Sequence, residues 1–294
     1  MELRVLRYFL AVAREENISR AAEALHTAQP SLSRQMKELE EELGKTLFIR
    51  GRRKITLTEE GMFLRKRAEE IVDLVDKTTD VLTADDSVVA GNVYIGAGET
   101  EGVRMIARVA GILGRNYPDV HIHIVSGDSL DIIEQLDKGL IDFALLVGSL
   151  DTPKYEYIHL PDRDAWGVLM RKDHPLAQKS AIKPEDLYHE PLLLSRQIKD
   201  GSPVLTWMGR ALTQLNVVST HNLIYNASLM VEEGLGIAVT LEGLINTTGD
   251  SRLCYRPLSP QLEVELSLAW KRYQAFSPAA SKFLEVLQKE LAER

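Results

Sequence analysis

The 294-residue chain contains a single cysteine, Cys254. One thiol excludes an intramolecular disulfide and any metal site built from several cysteines. Cys254 reads most simply as a small residue beside a strand, with redox sensing as the alternative. Long apolar runs are also missing. Glu2, Arg4, Arg7 and Arg14 interrupt the N-terminal apolar residues, unlike a secretion signal. No later stretch stays apolar for the roughly 20 residues a membrane helix needs. There is no Gly-Lys-Ser/Thr phosphate loop, no Gly-x-Ser-x-Gly turn and no clustered set of metal ligands or paired catalytic groups. The expectation is a soluble, cytoplasmic chain with no cofactor, no metal and no catalytic residue.

What is present is an uneven distribution of charge. The net formal charge is −8, yet residues 1–67 hold 14 Lys and Arg against 10 Asp and Glu. That segment is therefore +4, and the remainder is −12. A basic head can bind phosphate locally while an acidic body stays turned away from it. The apolar content of 45% is that of an ordinary globular protein, and the length allows two or three domains.

The chain is organised around residues 18–43, ISRAAEALHTAQPSLSRQMKELEEEL. Two short helices joined at His26-Thr27-Ala28 fit this stretch. Ser19 would cap the first, and Ala21, Ala22 and Leu25 would form its apolar side. In the second, Leu32, Met36, Leu39 and Leu43 recur at helical spacing. Pro30, Ser33, Arg34 and Lys37 lie opposite that stripe. Such a helix suits a major groove, where Arg and Lys reach guanine edges or phosphates. An ordinary helical hairpin with a solvated basic face is the plain alternative. Residues 2–16, with Leu3, Leu6, Phe9, Leu10 and Ala13 inward, would complete a three-helix core.

After Gly44, residues 46–50 and 54–57 read as a hairpin whose tip carries Arg50, Arg52, Arg53 and Lys54. Beside a helix–turn–helix this is a wing for backbone or minor groove. A long helix follows from Thr58 to near Ala84. Leu64, Ala68, Ile71, Val75, Thr78 and Leu82 step along it by four and three, as in a heptad seam. They could equally be the buried face of an amphipathic helix.

From Leu6-Arg7-Tyr8-Phe9 through SRAAEAL, QPSLSRQMKELEEELG and LFIRGRRKITLTEEG, the first 65 or so residues resemble the DNA-binding domain of LysR-type transcriptional regulators. One departure is Ala28, where the family often has Ser or Thr, so capping would fall to Thr27 or be weak. The resemblance implies an α+β multidomain protein that binds double-stranded DNA and a small-molecule effector. It would comprise a winged helix–turn–helix over residues 1–58, a dimerising linker helix over 59–88 and a bilobal α/β effector domain over 89–294, similar to periplasmic solute-binding proteins. Lobe I would take 89–161 and 267–294, and lobe II 162–266. Dimers or tetramers are implied through Leu64, Ala68, Ile71, Val75 and Leu82, and RNA polymerase is a candidate further partner. The implied DNA contacts are Ser19, Thr27, Gln29, Pro30, Ser31, Ser33, Arg34, Lys37, Arg50, Arg52 and Arg53.

The body supports this with alternating strands and helices from Gly91 onward. In parallel sheets ligands bind beyond the C-terminal strand ends. Those ends are Gly98-Glu99-Thr100-Glu101, Ser126-Gly127-Asp128-Ser129 and Gly148-Ser149. Thr100 and Ser129 are the leading effector contacts, with Glu99 beside them and Ser195, Arg196 and Asn226 from the second lobe. Helix capping is the alternative for each Ser or Thr. Glu99 and Glu101 would repel a carboxylate unless paired, for example with Arg196, so an amine-bearing or neutral effector fits. His121 and His123 share one strand face without a third ligand, which favours a solvated or interfacial face over a metal. An enzyme or a solute-binding protein using the same cleft are the competing readings. The basic head argues against both.

Overall fold

The computed structural model describes residues 1–51, 54–83, 89–148 and 153–293, with only the backbone of Arg50 and Asp80. It forms two compact units, Met1–Thr83 and Ala84–Arg294. The first contains α1 (Leu3–Glu15), α2 (Ile18–Ala24), α3 (Gln29–Leu43), β1 (Phe48–Arg50), β2 (Ile55–Leu57) and α4 (Glu59–Thr83). Apolar residues three and four apart turn inward: Leu6, Phe9 and Val12 from α1, and Leu32, Met36 and Leu39 from α3. Ala21 and Ala22 are buried on α2. Their small side chains permit close helix approach. Leu43 does not continue the α3 stripe and is 39% exposed. The helix closes there on Gly44 at φ 63°, whose amide bonds back to the carbonyls of Glu40 and Glu41.

The wing is pinned from α3. The Glu40 carboxylate accepts the amides of Leu47 at 2.7 Å and Phe48 at 3.2 Å. The Phe48 ring then lies 5.3 Å from that of Phe9 in the core. Thr58 caps α4 by accepting from the Gly61 amide at 3.0 Å and donates to the Thr46 carbonyl at 2.7 Å. Gly61 allows this approach, since a Cβ there would stand 2.2 Å from the Leu47 oxygen.

The stepped seam of α4 divides. Ala68 is fully buried and joins Val72 in the core of the head, with Leu64 packed against them. Val75 is half-buried, whereas Ile71 and Leu82 are exposed. With Phe63 and Leu74 these form an uncovered apolar face. The cause is α1, which packs along one edge of the expected stripe.

The second unit contains β3 (Gly91–Ala97), α5 (Val103–Asn116), β4 (Val120–Ser126), α6 (Ser129–Asp137), β5 (Phe143–Val147), β6 (Tyr155–Arg171), β7 (Leu192–Ser195), α7 (Pro203–Met208), β8 (Val217–His221), α8 (Ile224–Glu232), β9 (Ile237–Leu241), β10 (Leu253–Pro257), β11 (Glu263–Lys271) and α9 (Pro278–Ala292). The strand order is β4-β3-β5-β11-β6-β9-β7-β8, with β10 also on β6. β3 runs parallel to β4 and β5. β6 is one strand shared by two lobes. Residues 155–165 of it pair with β11, and Trp166 onward pairs with β9 and β10. Leu160-Pro161 therefore sits inside β6 rather than at a break. Pro161, which has no N–H to give, falls where the register shifts opposite Glu265 and Ser267.

Each lobe has its own core: Val93, Ile95, Phe143, Leu268 and Phe283 in the first, Val168, Leu192, Leu194, Ile237 and Val239 in the second. α9 returns to the first lobe and is capped by Ser277, whose hydroxyl accepts the Ala280 amide at 3.1 Å.

Candidate functional sites: a basic helix face and a cavity between lobes

On the head, Gln29, Pro30, Ser31, Arg34 and Lys37 are exposed along α3, and Ser33 is half-buried. Arg34 meets Glu38 at 2.7 Å and Lys37 meets Glu41 at 3.3 Å, both one turn apart. Their side chains are 80% and 71% exposed. Solvated pairs of this kind contribute little to stability and exchange readily for a phosphate. Ala28 is the N-cap of α3, and no side chain, Thr27 included, caps it. The helix thus presents uncapped first-turn amides, with Pro30 in that turn. Ser19 is exposed but is not the cap of α2. Asn17 takes that place, accepting from the amides of Ser19 at 2.9 Å and Arg20 at 3.1 Å. Arg52 and Arg53 lie outside the described residues, and Arg50 is placed by its backbone at the end of β1.

In the second unit, strand ends of both lobes enclose a cavity of about 270 Å³. Glu99 and Ser129 of the first lobe and Ser195 of the second line it. Thr100, Arg196 and Asn226 are not in its wall. The Thr100 hydroxyl is buried and donates to Asp164 at 2.5 Å. Asn226 points its residue surface outward from α8. Ser149 lies outside the described residues.

Arg196 does not pair with Glu99. It binds Asp128, whose side chain is fully buried, and Asp131 at 2.6 Å. Burial alone would raise the Asp128 pKa, but Arg196 and the amides of Asp131 and Leu130 hold it below the usual carboxylate range. Asp128 also caps α6 through those two amides. Glu99 accepts the amide of Ile224, the first residue of α8. Glu101 pairs with Arg104. Two polar links, Glu99 to Ile224 and Arg196 to Asp128, thus run from one lobe to the other.

Sequence reasoning missed Trp166, Gln197, His221, Asn222 and Thr240 in the cavity wall. His221 and Asn222 stand at the C-terminal end of β8, so the same strand-end rule would have found them had β8 been recognised. Burial pushes the His221 pKa down, and its Nδ1 is buried without a partner among the described residues. His121 and His123 sit exposed on the edge strand β4, His123 stacking on Tyr94 and bonding Asn92 at 2.9 Å. Among the described residues no group of three metal-ligating side chains forms.

A winged helix–turn–helix head followed by a two-lobed body with a central cavity defines a DNA-binding regulator of the ligand-responsive class. Residues 3–62 match the family model of the bacterial regulatory helix-turn-helix protein, lysR family, and residues 87–292 match that of the LysR substrate binding domain. The chain belongs to the LysR family of transcriptional regulators. It is 30% identical to the Hca operon transcriptional activator HcaR of Escherichia coli, over 99% of both chains. The crystal structure of the LysR family regulator CbnR is similar at a TM-score of 0.73 and 19% identity, covering 99% of each chain. Full-length CbnR complexed with its target DNA gives 0.69 and 19%, over 98% of this chain and 99% of that one. At that identity the likeness shows the fold.

Proposed function

We propose that two copies of this chain bind a two-fold related DNA site through α3, and that a small molecule in the interlobe cavity modulates the binding. The observation that carries this is the exposed row Gln29, Ser31, Arg34 and Lys37 on a helix fixed by its opposite face. Ser19, Thr27, Pro30 and Ser33 flank the row, and the wing arginines Arg50, Arg52 and Arg53 would reach the neighbouring backbone. The uncovered α4 face, Phe63, Ile71, Leu74 and Leu82, suits a second copy, and paired half-sites need a dimer. A ligand can shift such an assembly only by binding one of its states more tightly. No helix among the described residues is long and apolar enough to cross a membrane. This agrees with work beside DNA in the cytoplasm, where RNA polymerase is the natural further partner. The chain is read as a regulator that performs no catalysis.

Two variants test the DNA face. Arg34→Ala weakens specific binding by about 1–3 kcal/mol and relaxes selectivity at one base pair. Lys37→Ala weakens all sequences evenly and lowers the salt slope by about 1. Unchanged gel-shift affinity in both would remove α3 from the interface. For the cavity, a thermal-shift screen of the full chain against amines, carboxylates, aromatics and sugars should yield hits that are lost in Trp166→Ala. A screen with no hit of any class would remove the effector site.

A further inference from the structure

The cavity wall contains no lysine or arginine among its described residues, but it contains the acidic residues Glu99 and Asp128, the latter with its carboxylate buried just behind the surface. Arg196, between the lining residues Ser195 and Gln197, is held by Asp128 and Asp131 together. Counting Glu99, that is three carboxylates against one cation.

Backbone amides offer an anion no better reception. Two helices of full length begin at this wall, α6 at Ser129 and α8 at Ile224. Helix N-termini favour anions because their first amides lack intrahelical partners. Here the chain has supplied its own anion to each. Asp128 Oδ1 accepts the amides of Leu130 at 3.1 Å and Asp131 at 3.2 Å. Glu99, from the other lobe, accepts the amide of Ile224. A carboxylate entering the cavity would have to displace Glu99 and would be desolvated beside like charge.

The remaining wall fits a compact apolar body. Trp166, Ile198, Val204, Leu223, Val239 and Leu241 contribute apolar surface. His221 contributes a buried nitrogen with no partner among the described residues, which marks a polar position left for a guest.

Building on the effector reading above, we propose that the ligand of this cavity is an organic amine with a small apolar or aromatic body. Its ammonium group lies against Glu99, and the chain's own carboxylates exclude anionic ligands. Glu99 thereby acts twice, holding α8 across the cleft and selecting the charge of the guest. An ammonium beside a ring such as Trp166 gains further attraction from the ring face.

The test uses the full chain and three probes of one shape: phenethylamine, 2-phenylethanol and phenylacetate. Calorimetry is expected to rank them in that order, with the amine at least tenfold tighter than the carboxylate. Glu99→Gln should reduce amine binding about tenfold or more, the scale of a hydrogen bond to a charged group, and leave the alcohol nearly unchanged. Glu99→Ala supplies an independent arm with acetate as probe. Acetate should raise the melting temperature of that variant, by filling the vacated place at α8, and leave the wild type unmoved. A cooperative thermal transition of the body and an unchanged far-ultraviolet circular dichroism spectrum verify that both variants fold. Equal acetate responses in wild type and Glu99→Ala would overturn the self-occupied terminus. Phenylacetate binding as tightly as phenethylamine would overturn the amine class, and loss of that binding in Trp166→Ala would keep the cavity as an effector site. Failure of all three probes alongside carboxylate hits in the broad screen would overturn the amine class alone. Failure of every class would overturn both readings.

Discussion

The α3 face and the interlobe cavity use the same residue types in opposite ways. On α3 each cation has one carboxylate partner, one turn away and well solvated: Arg34 is 80% exposed and its partner Glu38 46%. In the body, Arg196 has two carboxylate partners, and the Asp128 side chain is fully buried. The first arrangement leaves cations free to exchange partners, as binding a polyanion requires. The second fixes charge in place, so that it shapes the cleft and selects among small guests. Exposure, more than sequence, decides whether an Arg–carboxylate pair is a reserve of positive charge or a structural link.

The sharpest break in this comparison would come through the cores that hold each site. Phe9 is fully buried and belongs to the core of the head, with α3's Leu32, Met36 and Leu39. Phe9→Ala should cost about 3–5 kcal/mol of the head's stability. DNA binding should then fail in gel shifts while ligands still raise the melting temperature of the body. Loss of both activities together would show that the two units do not keep their sites independently.

A next contrast pairs two basic residues. Arg196→Ala leaves Asp128 buried with its remaining amide partners only, and should destabilise the body by about 1–3 kcal/mol. Lys37→Ala removes a solvated pair and should change stability by less than about 0.5 kcal/mol, despite its effect on DNA. Urea unfolding of both variants measures this. Similar costs at the two positions would erase the distinction drawn between them.

These contrasts were only partly legible in the sequence. The head was readable because its signals are local: helical spacing of Leu32, Met36 and Leu39, a glycine stop at Gly44, and a hairpin between strands three residues long. The charged face of α3 follows from the same periodicity. β6 was not readable as one strand, since Leu160-Pro161 has the look of an ending, and the strand continues only because 160–162 bulge opposite Leu266 of β11. β8 was missed because Val218 and Thr220 are exposed on an edge strand, which leaves no apolar alternation to detect. With β8 went His221. Pairings distant in sequence were beyond reach for a different reason. Thr100 meets Asp164, Asp128 meets Arg196 and Glu99 meets Ile224 at separations of 64, 68 and 125 residues. Chemistry names Arg196 as a suitable partner for Glu99 or Glu101, but the fold brings it to Asp128 and Asp131.

Acid titration separates two carboxyls of the body that are shifted in opposite directions. Asp128 is held below its ordinary value by Arg196 and amides that outweigh its burial. Its contribution is therefore present above the unfolded value of 3.8 and is lost as pH falls through the lower folded value. Asp164 is raised, chiefly by burial, against the hydrogen bond from Thr100. Its native state binds the proton more tightly, so stability is greatest below 3.8 and declines as pH rises through the folded value. Unfolding curves taken from about pH 7 down to pH 3 should show the gap between wild type and Arg196→Ala closing. The same curves should show Asp164→Asn gaining relative to wild type as pH rises. Parallel curves for either pair would mean the carboxyl in question titrates alike folded and unfolded.

The smallest expected effect on stability bears most directly on the exchange of partners at the DNA face. Glu38 holds Arg34 through one oxygen at 2.7 Å and accepts from Gln35 through the other at 3.1 Å. Both bonds are exposed, so Glu38→Gln should cost no more than about 0.5 kcal/mol in unfolding. Removing that carboxylate also removes the competitor that a DNA phosphate or guanine edge must displace from Arg34. Affinity should therefore rise for all sequences, with a steeper dependence on salt because the face carries one more uncompensated charge. A gel-shift series at several salt concentrations reads both quantities. If Glu38→Gln instead weakened binding, the Arg34–Glu38 pair would be presenting the guanidinium to DNA in a fixed pose. The α3 face would then resemble the cavity in holding its charges in place.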